Sequence, residues 1–257
     1  MSITLIIPAL NEQAVIRNVA EQAIDCTRTH FADYEVILVD DGSTDSTGEI
    51  METIARNQPN VRVLHNDGNR GLGTCYQRGV ALASKNYIML LCGDGGLPAA
   101  SLPAIYACVG RADIVIPYMR NLRQIKTPFR YFLSRTYTRL LNILFGFHLN
   151  YYNGLPVHRA DLLRKITITS KGFGFQGEVL IKLLKSGCTY VQVGVNGAEE
   201  TRRSFALRPL NFVSVIRTLL HLIREVMWFQ PVPREIIENG RVDVSSPAPS
   251  RARGSAG

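Results

Sequence analysis

Short apolar runs alternate along the first half of this chain with longer stretches in which apolar residues recur every three or four positions. Ile3–Ile7, Glu35–Val39, Val61–Leu64, Tyr87–Leu91 and Asp113–Pro117 have the length and content of buried strands. Between them, Glu12–Thr29, Asp45–Asn57, Gly71–Ser84 and Pro98–Val109 carry helical spacing, the second with Thr44 or Asp45 as its cap. This alternation predicts right-handed crossovers and an α/β fold, a mostly parallel central sheet flanked by helices. In such sheets ligands bind beyond the carboxyl ends of the strands. Those ends carry Pro8–Glu12, Asp40–Ser43, Asn66–Arg70 and Cys92–Gly96, which are polar and glycine-rich where a ligand would sit.

The second half is less regular. Residues 127–149 are rich in Phe, Tyr and Leu, with Arg130, Arg135 and Arg139 among them. Phe175–Lys185 reads as a helix and Thr189–Val195 as a strand. Leu210–Phe229 reads as a long amphipathic helix bearing Arg217, His221 and Arg224 and ending in Trp228-Phe229. Residues 231–257 turn polar and then rich in Ser, Pro, Ala, Gly and Arg, a composition expected to stay disordered. The expected organisation is a ligand-binding α/β half over 1–120, a second half with amphipathic helices over 121–230 in the same globular unit, and a tail from 231.

Charge sharpens this picture. The net charge is +8, and Arg111, Arg120, Arg123, Lys126, Arg130, Arg135 and Arg139 face a single acid, Asp113, within one segment. That segment is either a solvated basic face or a surface for an anionic partner. Apolar residues opposed to arginines over 128–149 and 210–229, the latter with an aromatic end, suit helices lying on a membrane surface; packing on the protein's own core or on a second copy is the alternative. No run is apolar enough to span a bilayer. The first residues read as a strand rather than a signal peptide, and the five cysteines have no metal-ligand spacing, so a cytoplasmic location is expected. Nucleic acid is not expected as a partner, because the acidic strand ends would repel its phosphates.

Three segments carry the chemistry: Ile7-Pro8-Ala9-Leu10-Asn11-Glu12, then Val39-Asp40-Asp41-Gly42-Ser43-Thr44-Asp45, then Asn69-Arg70-Gly71-Leu72-Gly73. A carboxylate at a strand end accepts hydrogen bonds from a nucleobase N–H or a ribose hydroxyl. Taken in order, the segments resemble the family-two glycosyltransferases with the A-type fold, and among them the dolichyl- and polyprenyl-phosphate sugar transferases. The resemblance covers Ile3 to about Val195. It implies that Asp40 contacts base or ribose, with Pro8, Ala9, Asn11, Glu12, Asp41, Arg70, Gly71 and Gly93 in the nucleotide pocket. UDP- and GDP-sugars are the implied donors, transfer with inversion the implied reaction, and a membrane polyprenyl phosphate the implied acceptor.

The family's Asp-x-Asp motif, which holds Mg²⁺ or Mn²⁺ against the donor diphosphate, departs from its pattern. In Leu91-Cys92-Gly93-Asp94-Gly95-Gly96, Asp94 matches the second aspartate and Cys92 stands in place of the first. Either Asp94 holds the metal together with the diphosphate, or arginines and backbone amides neutralise the diphosphate instead. Glu178 matches an acid at the start of the family's acceptor-side helix, where a carboxylate can serve as general base on a hydroxyl. Arg120, Arg123, Arg130 and Arg202 are the candidates for an acceptor phosphate. The family's Ser-Gly-Phe-Arg is Asn153-Gly154-Leu155-Pro156 here, which leaves the acceptor more open than the donor. Transfer to a hydroxyl of a glycan or lipid, and a binding protein without catalysis, are the alternatives.

Overall fold

The computed structural model describes residues 1–170 and 174–198, with short pieces at 223–226, 229, 231 and 242–243. The first strand, β1 (Ser2–Ala9), is buried at every position, and β2 (Asp33–Asp40) at all but its first. Continuous burial is what a strand covered on both faces requires, and it explains apolar runs without alternation. Helix α1 (Ile16–His30) lies between them and buries Ile16, Ala20, Ala23, Ile24 and Thr27, one stripe at helical spacing. Then follow α2 (Thr47–Arg56), β3 (Val61–His65), α3 (Leu72–Leu82), β4 (Tyr87–Leu90), α4 (Leu102–Tyr106) and β5 (Ile114–Met119). The second half adds α5 (Leu122–Ile125), α6 (Pro128–Phe145), β6 (Val157–Arg159), α7 (Ala160–Leu163), α8 (Phe175–Lys185), β7 (Tyr190–Val195) and a two-residue edge strand, β8 (Val242–Asp243).

The strands form one sheet in the order β3-β2-β1-β4-β6-β5-β7-β8. All pairs are parallel except those of β6 with β4 and β5. Because β6 opposes both neighbours, β4 and β5 run the same way, and the carboxyl ends of β1 to β5 share one edge. The chain builds outward from β1 through β2 and β3, then returns to lay β4 on the other side of β1. The crevice between β1 and β4 at that edge is the topological switch point.

Several boundaries moved from their expected places. The helix expected from Glu12 starts at Ile16, because residues 11–13 are tied to the loop after β2 (below). The helix expected over Pro98–Val109 divides into a 3₁₀ turn, Ala99–Ser101, and the short α4, with Pro103 in the first turn. The antiparallel β6 had no sequence signal. Helix α6 begins under Thr127, whose hydroxyl accepts from the Arg130 amide, and stops at Gly146 in the left-handed region (φ 70°). Of the helix expected over 210–229 only residues 223–226 and Phe229 are described. Val226 is buried, and its carbonyl accepts from Lys185 Nζ at 2.9 Å. The remainder of that stretch, and nearly all of the tail expected to be disordered, lie outside the described residues.

Candidate active site

The loops after β1 and β2 are knitted together by their own polar side chains. Asn11 takes a left-handed backbone (φ 54°), its amide donates to Ser43 Oγ at 3.0 Å, and its Oδ1 accepts from the Thr44 amide at 2.8 Å. The Glu12 amide donates to Thr47 Oγ1 (2.8 Å) and the Gln13 amide to Asp45 Oδ2 (3.3 Å). Asp45 also accepts from the Thr47 amide at 2.9 Å, an Asx turn leading into α2 that braces the neighbouring loop; the cap position itself is Ser46, whose side chain makes no capping bond, and not the expected Thr44 or Asp45.

Asp40 and Asp41 are both buried at the end of β2 and do different things. Asp40 Oδ1 accepts from the Ser43 amide (2.9 Å), and Oδ2 lies 3.0 Å from His65 Nδ1. Asp41 organises the next loop: Oδ1 accepts from Asn66 Nδ2 (2.7 Å) and the Arg70 amide (2.8 Å), and Oδ2 from the Gly71 amide (2.9 Å). Gly42 permits this turn. Its φ is +76°, and a Cβ there would stand 2.4 Å from the Gly68 Cα. Arg70 is exposed and pairs at 3.6 Å with Asp67. A cleft of about 610 Å³ opens on the α2 side of Asp40, lined by Ser43, Gly48, Glu52, Arg56 and His65 among others.

The loop after β4 closes the crevice from the other side. The Gly93 amide donates to the Pro8 carbonyl at 2.9 Å, and a Cβ on Gly93 would meet the Ala9 Cβ at 2.8 Å. Asp94 is exposed at the tip of this loop, with Oδ1 accepting from the Gly96 amide at 3.0 Å. Cys92 packs partly against the core, and burial, with the Asp94 charge beside it, pushes its thiol far above the ordinary value. Cys92 brings no carboxylate oxygen in place of the missing aspartate, and oxygen ligands are what suit Mg²⁺ and Mn²⁺. No group of three His, Cys, Asp or Glu side chains converges among the described residues. The donor set for a divalent cation is therefore a single exposed carboxylate, which fits a metal whose other ligands are diphosphate oxygens and water.

Arg120 follows β5 at the same sheet edge. Its amide donates to the Val195 carbonyl (2.8 Å), and its side chain lies over Gly194, where a Cβ would stand 2.2 Å from Nε. Arg123 is exposed on α5, and Arg130 is half-buried in the first turn of α6. Arg202 lies outside the described residues. Glu178 is wholly buried in α8. Its Oε1 accepts from the Thr169 amide (2.9 Å) and hydroxyl (2.9 Å) and from Lys182 Nζ (2.6 Å), and its Oε2 from the Ser170 amide (2.8 Å). Burial pushes the Glu178 pKa up, but Lys182, Ser170 and Thr169 outweigh it and hold the carboxyl below its ordinary value. Sequence reasoning missed His65 and Asn66 as partners of the two aspartates, since nothing local marks which side chain at the end of β3 reaches β2.

Residues 4–167 match the family model described as glycosyl transferase family 2. The chain belongs to this family. The undecaprenyl-phosphate mannosyltransferase of Micrococcus luteus is 30% identical over 209 residues, covering 77% of this chain and 84% of that protein. The dolichyl-phosphate beta-glucosyltransferase of Dictyostelium discoideum is 32% identical over 100 residues, 36% of this chain and 31% of its own. Among solved structures, the glucosyl-3-phosphoglycerate synthase of Mycobacterium tuberculosis, in complex with Mn²⁺, UDP and glucosyl-3-phosphoglycerate, superposes with TM-score 0.59 at 22% identity, over 86% of this chain and 79% of that one. The mannosyl-3-phosphoglycerate synthase of Rubrobacter xylanophilus gives TM-score 0.69 at 14% identity, over 93% and 79%. These likenesses are of fold, the A-type glycosyltransferase fold. The protein is thus a family-2 glycosyltransferase that uses a nucleotide-sugar donor, on a fold shared with a synthase solved in complex with UDP and Mn²⁺ or Mg²⁺.

Proposed function

We propose that this family-2 glycosyltransferase moves a sugar, with inversion, from a UDP- or GDP-sugar to a polyprenyl phosphate at the cytosolic face of a membrane. The observation that carries the acceptor is the surface that follows β5. Residues 114–160 contain no Asp or Glu and include Arg120, Arg123, Lys126, Arg130, Arg135, Arg139 and Arg159. On α6, Phe129, Phe132 and Ile143 are 59%, 67% and 79% exposed beside exposed Arg135 and Arg139. Exposed apolar groups among cations suit an anionic lipid and the bilayer that holds it. The undecaprenyl-phosphate mannosyltransferase of M. luteus supports the same acceptor class. No helix among the described residues is long and apolar enough to cross a membrane, so α6 would lie on the surface.

In this reading Asp40 receives the base or ribose, with Pro8, Ala9, Asn11 and Glu12 lining the same pocket. Asp41 contributes through the Arg70–Gly71 loop it holds, and Gly93 lets the loop after β4 pack against β1 beside the donor. Asp94 holds Mg²⁺ or Mn²⁺ together with the diphosphate, and the metal supplies the positive charge that lets the diphosphate leave. Arg120, Arg123 and Arg130, with Arg202, receive the acceptor phosphate. A phosphate monoester has its second pKa near ~6 and is already a nucleophile at neutral pH, so it needs positioning and no base. The burial of Glu178 among four donors accords with that. A neutral hydroxyl acceptor would instead need a carboxylate such as Glu178 to take its proton.

The test is nucleoside-diphosphate release from a panel of UDP- and GDP-sugars, with a short polyprenyl phosphate, a polyprenol or no acceptor, in Mn²⁺ and in EDTA. Release that needs the lipid phosphate and stops in EDTA is the expected result. Equal release with the polyprenol would move the acceptor to a hydroxyl. Nucleotide binding without release in any arm would leave a binding protein.

A further inference from the structure

Asp40 is not alone at the end of β2. His65, the last residue of β3, stands opposite it in the parallel register, with Nδ1 3.0 Å from Asp40 Oδ2 and Nε2 3.0 Å from Glu52 Oε1 on α2. An ionised carboxylate only accepts hydrogen bonds, so both contacts are made only when both ring nitrogens carry protons. The bridge is complete only as an imidazolium between two carboxylates. The surroundings are built to admit it. Gly48 on α2 leaves the space, since a Cβ there would stand 2.9 Å from Asp40 Oδ2 and 3.3 Å from His65 Cε1. On the α3 side Arg78 donates to the His65 carbonyl at 3.0 Å and also bonds Asn66 Oδ1, which anchors the strand end. Asp45, Glu49 and Arg56 line the same cleft, so the ring and Arg56 are its cations among four acids.

We infer that His65 is a positioning residue for the donor, an imidazolium that orients the Asp40 carboxylate and offsets the acidic cleft, so that donor affinity falls when the ring loses its proton. This rests on the reading of Asp40 as a donor contact. A neutral imidazole has one N–H and must release one of its two carboxylates. Either Asp40 turns free or Nε2 faces Glu52 without a proton, and in both cases the cleft gains a net negative charge against an anionic ligand. The Glu52 and Asp40 hydrogen bonds, and then their charges, raise the His65 pKa above its ordinary value, which places the loss on the alkaline side of neutral imidazole titration. The sign follows: the bridge is present at low pH and is lost as pH rises through the raised pKa.

The experiment pairs two readouts on the full chain over about pH 6 to pH 9. The first is the NMR titration of the His65 ring without nucleotide. The second is the Kd for UDP, or for GDP if UDP does not bind, with native protein, His65→Gln and Glu52→Gln. We expect a ring pKa above the ordinary value and a Kd that rises about fivefold across it, the weight of one hydrogen bond. His65→Gln should remove that step and keep only the titration of the nucleotide phosphate. Glu52→Gln should move the step to lower pH, which a merely structural role would not do. A ring titrating at or below its ordinary value, or a Kd whose pH dependence is the same in native and His65→Gln protein, overturns the inference while leaving the donor site in place. Failure of either nucleotide to bind at every pH overturns the donor-site reading and this inference together.

Discussion

The two sides of the sheet edge treat their polar side chains in opposite ways. On the β1–β2–β3 side nearly every polar group has a partner within the protein. Asn11, Ser43, Thr44, Asp45 and Thr47 bond across two loops, and Asp41 holds a third loop through its amides. On the side that follows β5, Arg120, Arg123, Arg135 and Arg139 are exposed, and four large apolar side chains of α6 are exposed with them. A small rigid ligand repays a preorganised pocket, because the ordering cost has been met in folding. A long amphiphile in a bilayer does not need such a pocket and is met by charge and apolar area spread over a helix. The contrast accords with the proposed donor side and the proposed membrane-facing acceptor side.

The sharpest test of the donor side is Asp94→Ala. Asp94 is exposed and its side chain accepts one loop hydrogen bond, so the fold should survive with an unchanged melting temperature. Turnover in Mn²⁺ should fall by about 10³-fold, the scale of losing the main electrostatic partner of a leaving group. Retained turnover would mean that arginines and amides neutralise the diphosphate.

Glu178→Gln asks whether the acceptor side also contains a preorganised acid. Breaking the buried Glu178–Lys182 pair should cost about 3 kcal/mol in urea unfolding. If the acceptor is a phosphate, activity corrected for folded protein should change little, whereas collapse by orders of magnitude would assign the carboxylate to a hydroxyl acceptor. The same residue predicts a pH effect. Glu178 and Glu35 have folded pKa values below their unfolded ones, so their stabilisation is present above the unfolded value and fades as pH falls through the folded one. Urea midpoints should therefore drop as pH goes from about 5 to about 3, less steeply in Glu178→Gln.

Gly42→Ala strikes the donor loops without touching a charge. The positive φ and the contact with Gly68 should cost about 2 kcal/mol, and the displaced 66–71 loop should weaken UDP or GDP binding in calorimetry. The smallest effect is expected on the exposed face of α6. Phe132→Ser should reduce cosedimentation with anionic vesicles about tenfold, and Arg135→Gln about fivefold, since one buried phenyl and one surface charge weigh about 1.5 and about 1 kcal/mol. No loss in either variant would break the comparison and leave α6 as a face for another partner.

Much of the donor side was legible because its signals are local. An apolar run ending in Asp-Asp-Gly-Ser marks a strand end wherever it occurs, and the helix–strand rhythm implies the parallel order. The identity of Asp40's partner was not legible, because His65 and Glu52 reach it from β3 and α2 through register and helix packing. Glu178 shows the same limit. Its place at the start of α8 matched the family, but its burial among Thr169, Ser170 and Lys182 depends on how that helix packs. The three-residue β6 reverses direction inside the sheet with too few residues to carry a period.

The chain's own order of residues determined the fold class, the edge of the sheet where the candidate site residues gather, the departure from the family's Asp-x-Asp pattern and the basic, acid-free stretch, since periodicity, turn chemistry and charge are written in neighbouring positions. Only the tertiary structure decided which carboxylates are spent and which are available. Asp41 accepts from Asn66 and two loop amides, Glu178 from Thr169, Ser170 and Lys182, Asp40 shares a proton-bearing ring with Glu52, and Asp94 is exposed. That distinction rests on burial and hydrogen-bond partners brought together from distant strands, and no local pattern encodes it.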